Sequence, residues 1–323
     1  MALRPPSRIL NANLNLLRQL TRKATAPTTQ FVRNHSSVSE DELSHFSALG
    51  NSWWDPVGPS RALHLMNPLR HEFIASCLAD GSMESASGKK GLKYLDVGCG
   101  GGIFAESMAR RILDTPSTST SNNSTTTTDS VLAIDPSPTL IQIAKKHART
   151  DPLIDSHLRT GKFTYRNTTL EELVAEESST QAFDVVTLFE VLEHIDPATS
   201  SPVAFLGNCL RLLRPGGWLV GSTIARSLPS FVVNQVIAEA PWPVGVVPRG
   251  THEWSKFVNP DELRGWVGEA SSFSSAASAA GENAAATIQW KCMGVMYIPC
   301  LGWRMVGGSE SWGNYFWAVR KGI

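Results

Sequence analysis

Short apolar runs recur along the chain, each followed by a stretch of helical composition. Tyr94, Leu95 and Val97 form one such run, Val131 to Ile134 a second, Phe163 to Asn167 a third, Phe183 to Phe189 (FDVVTLF) a fourth and Trp218 to Ser222 a fifth. Runs this short and this uniformly apolar predict buried strands. Between them Glu106 to Leu113, Leu140 to Arg149, Thr169 to Glu177 and Val203 to Leu213 have helical composition, the last ending at Pro215, Gly216 and Gly217. Strand alternating with helix predicts an α/β domain with an open, mainly parallel sheet. Met293 to Ile298 and Tyr315 to Val319 supply two final strands in hairpin fashion.

The first run carries the most chemical information. Lys93 to Phe104 reads KYLDVGCGGGIF, a strand that breaks into Gly98, Gly100, Gly101 and Gly102 before a helix begins. Such a turn brings backbone N–H groups and a helix N-terminus up to a ligand, so a nucleotide-like molecule is expected there. Asp135 ends the second run, where a carboxylate accepts hydrogen bonds from both hydroxyls of a ribose. That acid normally follows the glycines by about 20 positions. Here the separation is longer, but Thr115 to Ser130 is almost pure Ser, Thr and Asn, and removing it restores the spacing. A dinucleotide fingerprint would place glycine where this chain has Ile103. Glycines at 98, 100 and 102 with Asp96 just before them follow instead the pattern of a class I methyltransferase, whose cofactor is S-adenosylmethionine. Gly98 and Gly100 would then pass close to the methionine part of that cofactor.

Composition adds limits. In 323 residues, 18% charged and 42% hydrophobic, a sizeable core is available and the body is not disordered by composition. A formal net charge of zero leaves no global footprint for nucleic acid. Five cysteines lie scattered without paired or metal-ligand spacing, which predicts reduced thiols. Residues 1–39 hold Arg4, Arg8, Arg18, Arg22, Lys23 and Arg33, many Ser and Thr, and no acidic residue before Glu40. This is the composition of a mitochondrial transit peptide; the alternative is a disordered basic tail. The methyltransferase domain would then be 40–323, with low-complexity inserts at 115–130 and 271–286. Trp53 and Trp54 pack into the core or cover a cleft. Leu228 to Val247 is apolar but broken by Pro229, Pro241 and Pro243, and cannot make a straight transmembrane helix.

Five stretches in order, WWDPVGPSRALHLMNPLR, LDVGCGGGIFAESMAR, EVLEHI, LRPGGWLVGSTIARS and VPRGTHEWSKFVNPDEL, resemble the ubiquinone-biosynthesis O-methyltransferase family, bacterial and mitochondrial. The resemblance covers about Ser44 to Lys321 and departs only at the two inserts. It implies a Rossmann-like class I fold with a seven-stranded, mainly parallel sheet and an antiparallel last strand. It implies that Arg70, Gly98, Asp135 and Phe189 contact S-adenosylmethionine, Phe189 against the adenine, with Asp96 and Gly100 in the same site.

Glu190, Glu193 and His194 leave the fourth strand at its carboxyl end, where open α/β sheets build their sites. If the chain turns helical there, the three share one face and can hold a divalent cation, magnesium by preference for hard oxygens. As a bare motif the same residues serve as helix capping, and the family's metal dependence argues for the metal. A cation chelating both oxygens of a catechol would lower their pKa and orient one toward the methyl group; His194 as general base is the alternative. The resemblance further implies polyprenylated catechol substrates (a polyprenyl dihydroxybenzoate and a demethylubiquinol), peripheral contact with the matrix face of the mitochondrial inner membrane, and a multi-subunit biosynthetic complex. Residues 228–247 are either a membrane-docking flap or a lid. Rival functions are another small-molecule class I methyltransferase, such as one acting at carbon, and a non-catalytic scaffold.

Overall fold

A computed structural model describes residues 37, 39, 43–44, 50–58, 60–80, 91–112, 127–195, 200–231, 254–276, 288–298 and 301–322, all within the unit His35–Ile323. Apart from Ser37 and Ser39, the expected transit peptide lies outside the described residues, and so does the expected flap beyond Phe231.

Eight strands build one sheet in the order β3-β2-β1-β4-β5-β8-β6-β7. They are β1 Gly91–Val97, β2 Thr127–Asp135, β3 Phe163–Asn167, β4 Phe183–Phe189, β5 Leu213–Ile224, β6 Gln289–Ile298, β7 Gly302–Val306 and β8 Asn314–Arg320. The first five are mutually parallel, and β8 enters antiparallel between β5 and β6. This is the Rossmann-like arrangement of a class I methyltransferase, with one strand more than expected. β6 and β8 do pair antiparallel, but the chain makes β7 between them, on the outer edge of β6. Strand order reverses between β1 and β4, and the crevice at that switch point is where such sheets bind ligands.

The helices are α1 Arg61–Ala79, α2 Ile103–Ala109, α3 Pro138–Ala148, α4 Pro152–Thr160, α5 Leu170–Ala175, α6 Pro202–Leu212 and α7 Pro260–Ala276, with a short turn at Leu228–Ser230. Their starts are written locally. Side chains of Ser137, Asp151 and Ser201 accept from the backbone N–H of Leu140, Leu153 and Ala204, each with proline at the first helical position. Thr169 and Glu172 form a reciprocal capping box for α5. The helix α4 is an addition to the expected elements. Two low-complexity boundaries also shift: Thr127–Ser130, expected as loop, opens β2, and α7 continues through Ser271–Ala276, while 115–126 and 277–286 lie outside the described residues.

Both faces of the sheet are covered. One carries Phe73 and Cys77 of α1, Phe104 and Met108 of α2 and Ala144 of α3 against Val185, Trp218 and Phe316. The other carries Leu173 of α5, Phe205 and Leu206 of α6 and Leu263 of α7 against Val186, Leu188 and Trp317. Every residue of β4 is buried, which is why the strand reads as a continuous apolar run instead of an alternation. Each fully buried Leu or Phe contributes roughly 1.5–3 kcal/mol; trimming Leu188 to Ala would cost about 2–5 kcal/mol.

Candidate active site

The site lies at the carboxyl ends of β1, β2 and β4. Gly98, Gly100 and Gly102 all have positive φ, at 69°, 54° and 91°, a region open to glycine at little cost. The turn is bolted to β2: the N–H groups of Gly98 and Cys99 both donate to the Ile134 carbonyl, at 2.9 and 3.0 Å. The Gly100 N–H donates to Asp135 Oδ2 at 2.9 Å and the Ser137 N–H to Asp135 Oδ1 at 2.8 Å. One oxygen thus fixes the glycine turn and the other the start of α3. Each carboxylate oxygen keeps a second lone pair for a ribose hydroxyl. Burial pushes Asp135 up to about 6, against the two N–H bonds that hold it down.

Asp96, the last-but-one residue of β1, is buried and accepts from the Thr187 hydroxyl at 2.6 Å. Burial pushes it up to about 7, opposed by that bond and by Arg70. Arg70, on α1, is 3% exposed. Its guanidinium lies 4.7 Å from the Phe189 ring centroid and 3.9 Å from Glu190 Oε1, and one nitrogen donates to Asn67 at 3.2 Å. Its Nε and Nη2 are buried with no hydrogen-bond partner. An orphaned, buried cationic donor is costly, and the carboxylate of a methionine moiety is a group that would satisfy it. Phe189 meets Phe104 edge-on at 4.6 Å, with Arg70 over its face. The residues expected to hold S-adenosylmethionine, namely Arg70, Asp96, Gly98, Gly100, Asp135 and Phe189, gather around the carboxyl ends of β1, β2 and β4, and the donor set and glycine turn have the chemistry that cofactor needs.

The segment after β4 departs from expectation. Glu190 has φ 56°, and Leu192–His194 is a single 3-10 turn, so the α-helical face that would align positions 190, 193 and 194 does not form. Glu190 and Glu193 nevertheless meet. Burial first, and then the charge of Glu190 beside it, push Glu193 well above the carboxylate range. Each is held from β5: the Ser222 hydroxyl donates to Glu190 at 2.5 Å and the Thr223 hydroxyl to Glu193 at 3.0 Å. His194 is half-buried, and among the described residues no three His, Cys, Asp or Glu side chains gather as a metal-holding group. Glu190 and Glu193 are left as the hard oxygen donors that could hold a divalent cation.

Sequence reasoning missed two neighbours on β5. Ser222 and Thr223 stand at the end of a strand beside β4, and their place in the parallel array is the signal that was available. Trp53 covers the glycine turn so closely that a Cβ at Gly100 or Gly101 would come within 2.5 or 2.3 Å of its ring. Of the two roles weighed for the tryptophans, this one lies against the cofactor turn.

Comparison with known proteins bears on this arrangement. Residues 69–271 match the family model of a methyltransferase domain. The ubiquinone biosynthesis O-methyltransferase of a Cereibacter sphaeroides strain is 37% identical over 71% of this chain and 80% of that protein. The mitochondrial ubiquinone biosynthesis O-methyltransferase of Candida albicans is 32% identical over 90% of this chain and 87% of that protein. Among solved structures, the N-methyltransferase NodS of Bradyrhizobium japonicum, in complex with S-adenosyl-L-homocysteine, aligns at TM-score 0.47 and 13% identity, covering 87% of this chain and 97% of that one.

Proposed function

This chain belongs to the ubiquinone biosynthesis O-methyltransferases, and from that membership we propose that it methylates a catechol-type hydroxyl of polyprenylated ubiquinone precursors, in mitochondria, with magnesium at Glu190 and Glu193. The mitochondrial setting is supported by the basic, acid-free leader and by the name of the Candida relative. Among the described residues no helix is long and apolar enough to cross a membrane; the proposed mode of reaching a lipid-soluble substrate is peripheral contact.

The observation that carries the reading is the carboxyl pair at the end of β4, one strand from the glycine turn at the end of β1. S-Adenosylmethionine, when bound, supplies an electrophilic methyl group, and a divalent cation, when bound, lowers the pKa of the acceptor hydroxyls. The chain's own residues do the rest. Asp135, held by the N–H groups of Gly100 and Ser137, fixes the ribose end; Arg70 neutralises the amino-acid carboxylate. Ser222 and Thr223 hold the two glutamates, so the acceptor meets a preformed site and little reorganisation is needed. Glu190, more exposed than Glu193, accepts the hydrogen bond of the incoming hydroxyl. The phenylalanines at 104, 189 and 316 pack edge-on in a buried apolar cluster beside Arg70.

The test is methyl transfer from S-adenosylmethionine to a short-chain prenyl catechol, with and without magnesium. Turnover that rises on adding magnesium and falls on chelation is expected. Turnover indifferent to chelation removes the metal from the scheme, and no turnover in either condition removes the substrate class.

A further inference from the structure

We propose that Trp54 and His147, which lie outside the ligand crevice, are positioning residues that set the affinity of the cofactor turn. The indole N–H of Trp54 donates to the Gly101 carbonyl at 2.9 Å across 47 residues of sequence. Its ring lies flat on the imidazole of His147, with centroids 3.4 Å apart and planes 4° from parallel. The Nδ1 of His147 stands 2.9 and 3.1 Å from the two carboxylate oxygens of Glu106, and Glu106 is completely buried.

These contacts form one strut joining four elements. Glu106 is on α2, the helix that the glycine turn opens into, and its own N–H bonds the Gly102 carbonyl at 2.9 Å. His147 is in the last turn of α3, whose start is tied to Asp135 through Ser137. Both cofactor-holding turns are thus anchored to helices that the Glu106 and His147 pair locks together, and Trp54 carries that lock back onto Gly101. His64 of α1 braces the far side, edge-on to Trp54 at 5.4 Å and within 3.3 Å of the Trp53 carbonyl. Arg110, 3.6 Å from Glu106 and 3.1 Å from Asp151, is a second partner of the buried carboxylate, so Glu106 stays paired when His147 is changed. The N–H groups of the turn are held by Ile134 and Asp135, and the bond to the Gly101 carbonyl restrains its other side before the ligand arrives.

The test measures S-adenosylhomocysteine binding by calorimetry, which needs neither metal nor acceptor, so its outcome is independent of the proposed substrate and of magnesium. Trp54→Phe keeps a ring over His147 and removes only the donor. Losing one hydrogen bond predicts an affinity about fivefold weaker, with KM for S-adenosylmethionine raised alike and kcat at saturating cofactor unchanged. His147→Phe keeps a stacking partner and severs Glu106, and is expected to weaken binding similarly. Because both act through one strut, the double variant should lose less than the product of the single losses. Unchanged affinity in Trp54→Phe, a fall in kcat at constant KM, or independent effects in the double variant would each overturn the proposal.

Discussion

Gly102 and Gly161 are both left-handed residues at helix ends, and comparing them separates backbone strain from crowding. Gly102 has φ 91° and ψ 12° before α2, and Gly161 has φ 73° and ψ 5° after α4. A Cβ at Gly161 would meet nothing within 4 Å, whereas one at Gly102 would lie 2.2 Å from Tyr165 Oη, 2.9 Å from its Cζ and 3.1 Å from Ala144 Cβ. Gly161→Ala should therefore cost only the left-handed penalty, about 1–2 kcal/mol. Tyr165 is 3% exposed on β3 and Ala144 fully buried on α3, so neither has room to retreat. Overpacking then adds about 1–3 kcal/mol, bringing Gly102→Ala to about 2–5 kcal/mol. Adding Tyr165→Phe removes the nearest atom but also the 3.4 Å bond from its hydroxyl to the Gly102 carbonyl, so it should return at most about 1 kcal/mol of that loss. Urea unfolding of the three variants and the parent gives the numbers directly. Equal costs for Gly102→Ala and Gly161→Ala would refute the reasoning, since crowding would then contribute nothing.

Other outcomes are expected from the same geometry. Asp135→Asn leaves the turn an acceptor but loses the charge-assisted bonds to a ribose, so calorimetric S-adenosylhomocysteine affinity should fall about tenfold or more. Asp96 has its folded pKa raised to about 7 from 3.8, so the native state binds the extra proton and stability is lost as pH rises toward and through 7. Asp96→Asn, which can still accept from Thr187, should gain on the parent by about 3 kcal/mol more at pH 8 than at pH 5; parallel urea midpoints at the two pH values would contradict this. Glu193→Gln replaces an acid whose ionised form burial and the Glu190 charge disfavour and should leave melting temperature at neutral pH unchanged or higher while abolishing turnover; a variant both destabilised and active would count against the carboxyl pair as the acceptor site.

The parallel core was legible because strands buried on both faces leave continuous apolar runs, and the cofactor turn because positive φ demands glycine. Asp135 was found across an insert because strand ends, not sequence distances, fix its place. Other features left weaker marks. The signal for α4 was present in Asp151 followed by Pro152, but the helix has only nine residues. β7 is five residues of mixed character at the sheet edge, with little burial to impose a pattern. The Ser-rich end of α7 read as a loop, yet Ser271 and Ser272 turn their hydroxyls back onto the carbonyls of Val267 and Gly268 at 2.8 and 3.0 Å, so the helix tolerates them. The face shared by Glu190, Glu193 and His194 failed for a backbone reason, since a left-handed glutamate at 190 has no sequence signature. Tertiary neighbours such as Ser222 and Thr223 become readable only once strand order is known.

The most direct test of the central claim is where the methyl group goes. Incubating the enzyme with S-adenosylmethionine and a prenylated catechol, then locating the new methyl by NMR of the purified product, should give a single methyl ether on one of the two vicinal oxygens. A methyl on ring carbon, or no methylated product from an enzyme that binds S-adenosylhomocysteine, would contradict it.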